Sequence, residues 1–144
     1  MNGREGRKHP ANLVAGKHIT CFEEPDIIYM KFGGKATTAD SHELLRRQVE
    51  MGRNKEMLFF IIDAENLETI EPDGRRAVAE TLKEMPIRGM AVVHAPIKAK
   101  VVAKLVITAI NLFRRDPNLN PVAFFDTEDE AQQWIASRRT MFAN

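Results

Sequence analysis

The sequence predicts an α/β fold, with a mixed sheet that has a mostly parallel core, an amino-terminal antiparallel hairpin and four main helices. Three observations predict this fold. Short apolar runs alternate with helix-length amphipathic segments, as expected for strands joined by helical crossovers. The runs Met57–Ile62 and Gly89–His94 are apolar almost throughout, which is typical of parallel strands buried on both faces. Glu24-Pro25-Asp26 separates two earlier runs and has the composition of a hairpin turn.

The predicted elements follow the order β-β-α-β-α-β-α-β-α. Strands are expected over residues 18–23, 26–32, 57–62, 89–94 and 122–125, and helices over residues 38–53, 72–85, 97–115 and from 127 onward. Gly33-Gly34 is expected to end the second strand, and Asp63 is expected to end the third.

Three sequence signals mark the starts of helices. Asp40 with Glu43 is a candidate capping box for the first helix, and Thr127 with Glu130 is one for the last. Pro72 opens the second helix, because proline is tolerated in a first helical turn.

Composition bounds the class of protein. The chain has 144 residues, the size of one domain, and 44% of them are hydrophobic, which is enough for a packed core. The formal net charge is +1, so bulk charge gives no reason to expect a nucleic-acid partner. Cys21 is the single cysteine, which excludes an intramolecular disulfide and fits a reducing, cytoplasmic location. Residues 1–16 are basic and polar, and we interpret them as a flexible leader before a domain over residues 17–144.

Three stretches carry a likeness to a known family. They are the strand Phe59–Asp63 with its loop to Glu71-Pro72-Asp73-Gly74, the strand Gly89–Val93, and the strand Val122–Phe125 with the acidic helix that contains Ala131-Gln132-Gln133-Trp134-Ile135. In this order, over about residues 17–139, they resemble the STAS domain in its SpoIIAA-like branch, the anti-sigma-factor antagonists. The resemblance implies a STAS-like fold and a bacterial signalling module without enzyme activity. It implies a protein partner, such as a regulatory kinase or another component of a sigma-factor system.

The chain departs from this family at the site of regulation. The serine that the family's antagonists have phosphorylated falls at Pro72, and the second family serine falls at Asp73. Proline has no hydroxyl group, so a kinase switch cannot operate at that position. The carboxylate of Asp73 has two interpretations: it imitates the phosphorylated state, or it interacts with the dipole of the helix that begins there.

Candidate binding residues follow the predicted strands, because ligands of parallel α/β sheets gather at the carboxyl ends of strands. Asp63, His94 and Asp126 lie at these ends in the prediction, and the loops beyond contribute further polar side chains. The predicted binding surface consists of Asp63, Thr69, Asp73, His94 and Lys98. An Asp63–His94 pair has the residue types of a general base and its orienting carboxylate. No serine or cysteine lies near either residue in sequence, so we expect no enzyme activity.

Sequence motifs give no reason to expect a cofactor or a metal. The four histidines show no ligand spacing, and one cysteine cannot build a structural zinc site. There is no glycine-rich phosphate-binding motif, and Gly33-Gly34 alone is typical of a turn.

The predicted helix over residues 97–115 is apolar around well over half of its circumference, more than the ~100° stripe that packing on a sheet requires. It contains lysines and arginines but no acidic residue. One interpretation is a helix wedged between the sheet and its neighbours. The other is an interaction surface, which we expect at Lys100, Lys104, Ile107, Ile110 and Asn111. Such a surface suits a partner protein, a second copy in a homodimer, or an anionic membrane surface.

Three functions therefore stay open. The first is a regulatory protein-binding module, which a filled core with an exposed apolar edge would favour. The second is a carrier of a small molecule or lipid, since SpoIIAA-like folds are similar to CRAL-TRIO lipid-binding domains. A large apolar cavity under the long helix would favour it. The third is an enzyme that uses His94 and Asp63, which a solvent-reachable contact between the two side chains would favour.

Overall fold

Six strands form one mixed sheet in the computed structural model, which describes residues 13–112 and 121–143. The strands are β1 Leu13–Ala15, β2 His18–Glu23, β3 Ile27–Ala36, β4 Leu58–Ile70, β5 Ile87–Val93 and β6 Val122–Phe125. They lie in the sheet in the order of the chain. β1, β2 and β3 pair antiparallel, whereas β3 to β6 pair parallel. The predicted fold class, with its hairpin and mostly parallel core, is confirmed.

The described helices lie on both faces of the sheet. They are α1 Thr38–Met51, α2 Pro72–Leu82, α3 Ile97–Leu112 and α4 Glu128–Phe142. α1, α2 and α3 each join neighbouring parallel strands, and right-handed crossovers that all advance in one direction place their helices on one face. α4 follows the last strand and covers the opposite face, where Ile135 is buried with Phe59 and Ile61. The sheet therefore separates two apolar cores, of which the one beneath α1 to α3 is larger.

β3 and β4 are longer than the sequence predicted. Gly33-Gly34 does not end β3, and Asp63 does not end β4, because the two strands stay paired as far as Ala36 and Ile70. The pairing is irregular on both sides of Gly33. A Cβ atom at Gly33 would lie 2.3 Å from the carbonyl oxygen of Lys17. Glycine here permits a close backbone approach within a strand, so the prediction that it ends the strand was wrong.

The helix caps agree with the prediction at α4 but not at α1. Thr127 and Glu130 form the predicted capping box. In α1 the box is formed by Thr37 and Asp40, one turn earlier than predicted. Asp40 is the acidic member of this box rather than the cap itself, and Glu43 instead pairs with arginines on its own helix.

The sheet begins within the segment that the sequence interpretation assigned to the leader. Leu13–Ala15 pair with β2, so the leader does not extend to residue 16. Residues 1–12 lie outside the described residues, as do residues 113–115 of the predicted long helix. Within residues 13–112 and 121–143, none of the helices has the length and hydrophobicity required to cross a membrane.

Candidate functional site

The carboxyl end of β5 brings two of the predicted binding residues together. Nδ1 of His94 lies 3.3 Å from Oδ2 of Asp63. The side chain of Asp63 is fully buried, whereas that of His94 is 19% exposed. Oδ1 of Asp63 accepts a hydrogen bond from the backbone N–H of Glu65, at 3.1 Å. The contact is therefore between a fixed buried carboxylate and an imidazole that solvent reaches.

The backbone at His94 has a conformation that few residues with a side chain adopt. Its φ is 58°, and only glycine takes this conformation at no steric cost. His94 directly follows β5, whose last residue, Val93, pairs with Asp63. β4 continues beyond this point while β5 stops, and the left-handed residue turns the chain away from the sheet towards α3.

Among the described residues, the cysteine and the two serines give this pair no nucleophile. Cys21 is fully buried, and burial, followed by the charges of Glu23 and Glu128, raises the pKa of its thiol to about 11. The sequence contains two serines. Ser41 lies in α1 next to Gly74, on the face of the sheet opposite to α4, and Ser137 donates a hydrogen bond to a carbonyl oxygen within α4.

The other predicted binding residues lie further along β4 or in the first turns of helices. Thr69 lies in β4 opposite Lys35, six residues beyond Asp63, which corresponds to ~20 Å along a strand. Lys98 is exposed in the first turn of α3, and Asp73 is exposed in the first turn of α2. The prediction of one surface at the strand ends was wrong for Thr69 because β4 does not end at Asp63.

The start of α2 is held by charge rather than by a hydroxyl group. Glu71 precedes the helix, and its Oε1 accepts a hydrogen bond from the backbone N–H of Thr38 in α1. This bond, with a further contribution from Lys35 at 3.4 Å, lowers the pKa of Glu71. Asp73 lies 3.6 Å from Arg76 of its own helix. Asp73, at the second of the family's serine positions, therefore has a partner on its own helix.

The predicted interaction surface on α3 is only partly exposed. Lys100 and Lys104 are exposed, but Ile110 is 2% exposed and lies in the core, and Ile107 is half-buried. Asn111 belongs to the helix, but its side chain lies outside the described set. The prediction was wrong for Ile110 because α3 packs against both β4 and α2. Two neighbours bury a wider part of the surface of α3 than the sheet alone would.

A different apolar row of α3 faces solvent. The side chains of Ile97, Val101 and Leu105 are 82%, 56% and 49% exposed. They are four residues apart, so they lie along one side of the helix. At ~100° per residue, Lys98 borders one side of this row, and Lys100 and Lys104 border the other. The spacing is visible in the sequence, but the sequence does not show which face meets the sheet.

A cavity lies in the larger core, between the sheet and helices α1, α2 and α3. Its volume, measured as space for the centre of a water-sized sphere, is about 80 Å³. The part of α3 that lines it consists of Ala103, Val106, Ile107 and Ile110. Among the described residues, Ser41 and Gln48 are the two polar members of the wall, and none of its members is charged. The two surfaces of α3 are thus an apolar row in solvent and the wall of an apolar cavity.

The fold resembles that of a known structure. A crystal structure of a Shewanella loihica PV-4 protein from the DUF3478 family, described as having a SpoIIAA-like fold, superimposes with a TM-score of 0.57. The match has 15% sequence identity and covers 80% of this chain and 89% of the other. No family model matches the sequence, and no curated protein matches it. The chain therefore has a SpoIIAA-like fold, and this confirms the fold that the sequence resemblance implied.

Proposed function

We propose that this chain is a non-enzymatic regulatory module that binds a partner protein through the outer face of α3. The observation that carries the proposal is the row Ile97, Val101 and Leu105. Single exposed apolar residues are ordinary, but three large aliphatic side chains aligned on one helix form a continuous patch. Burying such a patch against a partner would remove it from water and stabilise the complex.

Charge defines the kind of partner. Lys98, Lys100 and Lys104 border the row, and the described part of α3 contains no acidic residue. A second copy docked through the same face would bring these lysines close to one another, which disfavours a homodimer through α3. A partner with an apolar groove and an acidic rim complements the row in both respects.

The fold supports a regulatory role by analogy, since the anti-sigma-factor antagonists that the sequence resembles act by binding proteins. A kinase or another component of a sigma-factor system is the corresponding partner. Pro72 distinguishes this chain from those antagonists, because the position cannot carry a phosphate. We propose that binding is constitutive in the cytoplasm and does not depend on a phosphorylation switch at α2.

The His94–Asp63 contact is the observation that favours an enzyme. A histidine oriented by a buried carboxylate is part of many acid–base sites. Here the described cysteine and serines supply no nucleophile. The positive φ of His94 turns the chain away from the sheet after β5. We therefore assign the pair a structural role.

Site-specific photo-crosslinking in the native host tests the proposal. A benzoylphenylalanine introduced at position 101 should form a discrete adduct with one protein, whereas the same group at Val49 should not. Val49 is a matched control because it is an exposed aliphatic residue on α1. The partner identified by mass spectrometry is then purified, and its affinity is measured by titration calorimetry.

The calorimetric comparison separates interface from fold. Leu105→Glu should weaken binding by about thirtyfold or more, because it places a charge within the apolar contact. Val49→Glu should leave the affinity within about threefold. Binding should also weaken as salt screens the lysines. Unchanged binding by a Leu105→Glu variant with a normal melt would contradict the proposal, as would equal cross-linking from positions 49 and 101.

A further inference from the structure

We propose that the cavity beneath α3 is a binding site for a small, uncharged, apolar molecule, with the size of a single aromatic ring or a short branched hydrocarbon. The site is independent of the proposed protein-binding surface, because Val101 and Leu105 point to solvent while Val106 and Ile110 line the cavity.

The walls define the chemistry of the ligand. They come from α1, α2, α3 and strands β3 to β6, and representative lining residues are Phe32, Leu44, Leu67, Leu82, Val92 and Val106. No charged side chain is among them, so a carboxylate, phosphate or ammonium group would be desolvated without a partner there. The described wall therefore favours an uncharged occupant over a fatty acid or a phospholipid with a buried headgroup.

The amide nitrogen of Gln48, one of the two polar residues of the wall, already has partners within the protein. Nε2 of Gln48 lies 3.3 Å from Oγ1 of Thr20 and 3.4 Å from the sulfur of Met30, and Gln48 is 2% exposed. Oγ1 of Thr20 in turn donates to the carbonyl oxygen of Tyr29, at 2.8 Å. These contacts fix the amide group of Gln48 within the protein. Recognition of the ligand consequently rests on shape and on apolar contact.

The volume sets the size of the ligand. The volume of about 80 Å³ is the space open to the centre of a water molecule. If this space is treated as spherical and the radius of water is added, the cavity holds a body ~8 Å across. A single aromatic ring fits within that width. Native interiors are close-packed and contain few voids larger than a water molecule, so an apolar space of this size is unusual in a finished core.

Two lining residues of the cavity, on α3 and β6, are partly exposed. Ile107 and Val122 both line the cavity and both are partly exposed, whereas the lining residues deeper in the core, such as Phe60 and Ile110, are buried.

Methyl NMR spectroscopy with toluene as the probe tests the site. Protein labelled at isoleucine, leucine and valine methyl groups is titrated with toluene, and with benzoate as a charged analogue of similar size. Toluene should cause saturable shifts at Leu67, Val106 and Ile110, whereas benzoate should cause none. Ile61 and Ile135 belong to the core beneath α4 and should not respond, so they act as internal controls.

A substitution that fills the cavity gives the second arm. Ala103→Leu adds three carbon atoms at the wall and should weaken toluene binding at least tenfold while leaving the far-UV circular dichroism unchanged. If that variant does not fold, Val106→Ala, which enlarges the space, should tighten toluene binding severalfold. The proposal is overturned if saturating toluene leaves the cavity methyl groups unshifted, if both cores respond equally, if benzoate gives the same shifts, or if neither substitution changes the affinity.

Discussion

The imidazole of His94 lies 3.3 Å from the buried carboxylate of Asp63, and it is held there by a backbone with a φ of 58°. Two opposing effects therefore meet in one residue. The side chain contacts a carboxylate that is shielded from water, while the backbone conformation disfavours any residue that has a Cβ atom. Substitutions that remove the imidazole with and without the Cβ atom separate the two effects.

His94→Ala should destabilise the protein by about 2–3 kcal/mol, because it removes the imidazole from the buried carboxylate and keeps the strained backbone. His94→Gly should cost ~1 kcal/mol less, since glycine adopts a positive φ freely. Urea denaturation of the two variants measures the difference. Equal stabilities of the two variants would show that the backbone is not strained at His94. Loss of partner binding by a folded His94→Gly variant would make the His94–Asp63 pair a candidate active site again.

The start of α2 should carry no phosphate in the native protein, because the family's phosphorylated serine is replaced by Pro72. Intact-mass and peptide mass spectrometry of protein isolated from its host measure this directly. The hydroxyl nearest to Pro72 in sequence is Thr69, which lies in β4, and a phosphate there would indicate a displaced switch and contradict the prediction. Pro72→Ser should fold normally and lose no more than ~1 kcal/mol, mainly through the greater freedom of the unfolded chain.

The stability of α1 should depend on acid pH through Asp40. Burial acts to raise the pKa of this carboxyl group, but hydrogen bonds from Thr37 and the contact with His18 together lower it below its ordinary value of 3.8. Nδ1 of His18 accepts a hydrogen bond from the N–H of Gly33, which leaves Nε2 to donate to Asp40 at 3.3 Å. Ionised Asp40 thus stabilises the fold above the pKa that it has in the unfolded chain, and this contribution is lost as the pH falls through the lower folded pKa.

Asp40→Asn should therefore be less stable than the wild type by roughly 0.5–1 kcal/mol at pH 7, the range of helix-capping interactions. The difference should shrink as the pH falls below 3.8 and through the lower pKa that Asp40 has in the folded protein. Denaturation midpoints at pH 7, 4 and 3 give the profile. Glu80→Gln, an exposed substitution on α2, controls for the loss of one negative charge, and an identical pH profile for both variants would disprove the role of Asp40.

Gly33→Ala should destabilise the sheet by about 2 kcal/mol or more, since the new Cβ atom would lie 2.3 Å from a backbone oxygen that belongs to the turn between β1 and β2. Lys35→Ala, an exposed change two residues later in β3 that removes one surface ion pair with Glu71, should stay within about 1 kcal/mol. Thermal melts compare the two. A Gly33→Ala protein as stable as the wild type would mean that this approach of the two backbones is loose.

The local sequence pattern correctly predicted the fold class and the bounds of the strands His18–Glu23 and Val122–Phe125. In both strands a change of residue type coincides with the end of strand pairing. The local pattern did not predict the end of a strand where pairing with a neighbouring strand determines its length. Gly33-Gly34 has the composition of a terminator, yet β4 runs alongside and continues the ladder. Local sequence does not contain the position of that neighbour.

The sequence also predicted one part of the candidate site and missed another. Asp63 and His94 were predicted as residues of one strand-end surface, and the parallel register of β4 and β5 does place them in contact. The exposed row of α3 was missed, because Leu105 and Ile110 are equally apolar and only tertiary packing makes one a surface residue and the other a core residue. The shape of a cavity depends on several elements at once, so no local pattern reveals it.

The strands of this sheet lie in the order in which a ribosome makes them. Each new strand can join the edge formed by the one before it, and none has to be inserted between two strands that are already paired. The larger core also closes progressively, as each crossover helix arrives before the strand that follows it. Such an order keeps sequence separations between contacting elements short, which favours fast folding and domain formation during synthesis. α4, which follows the last of these strands, then covers the face that the three crossovers leave open.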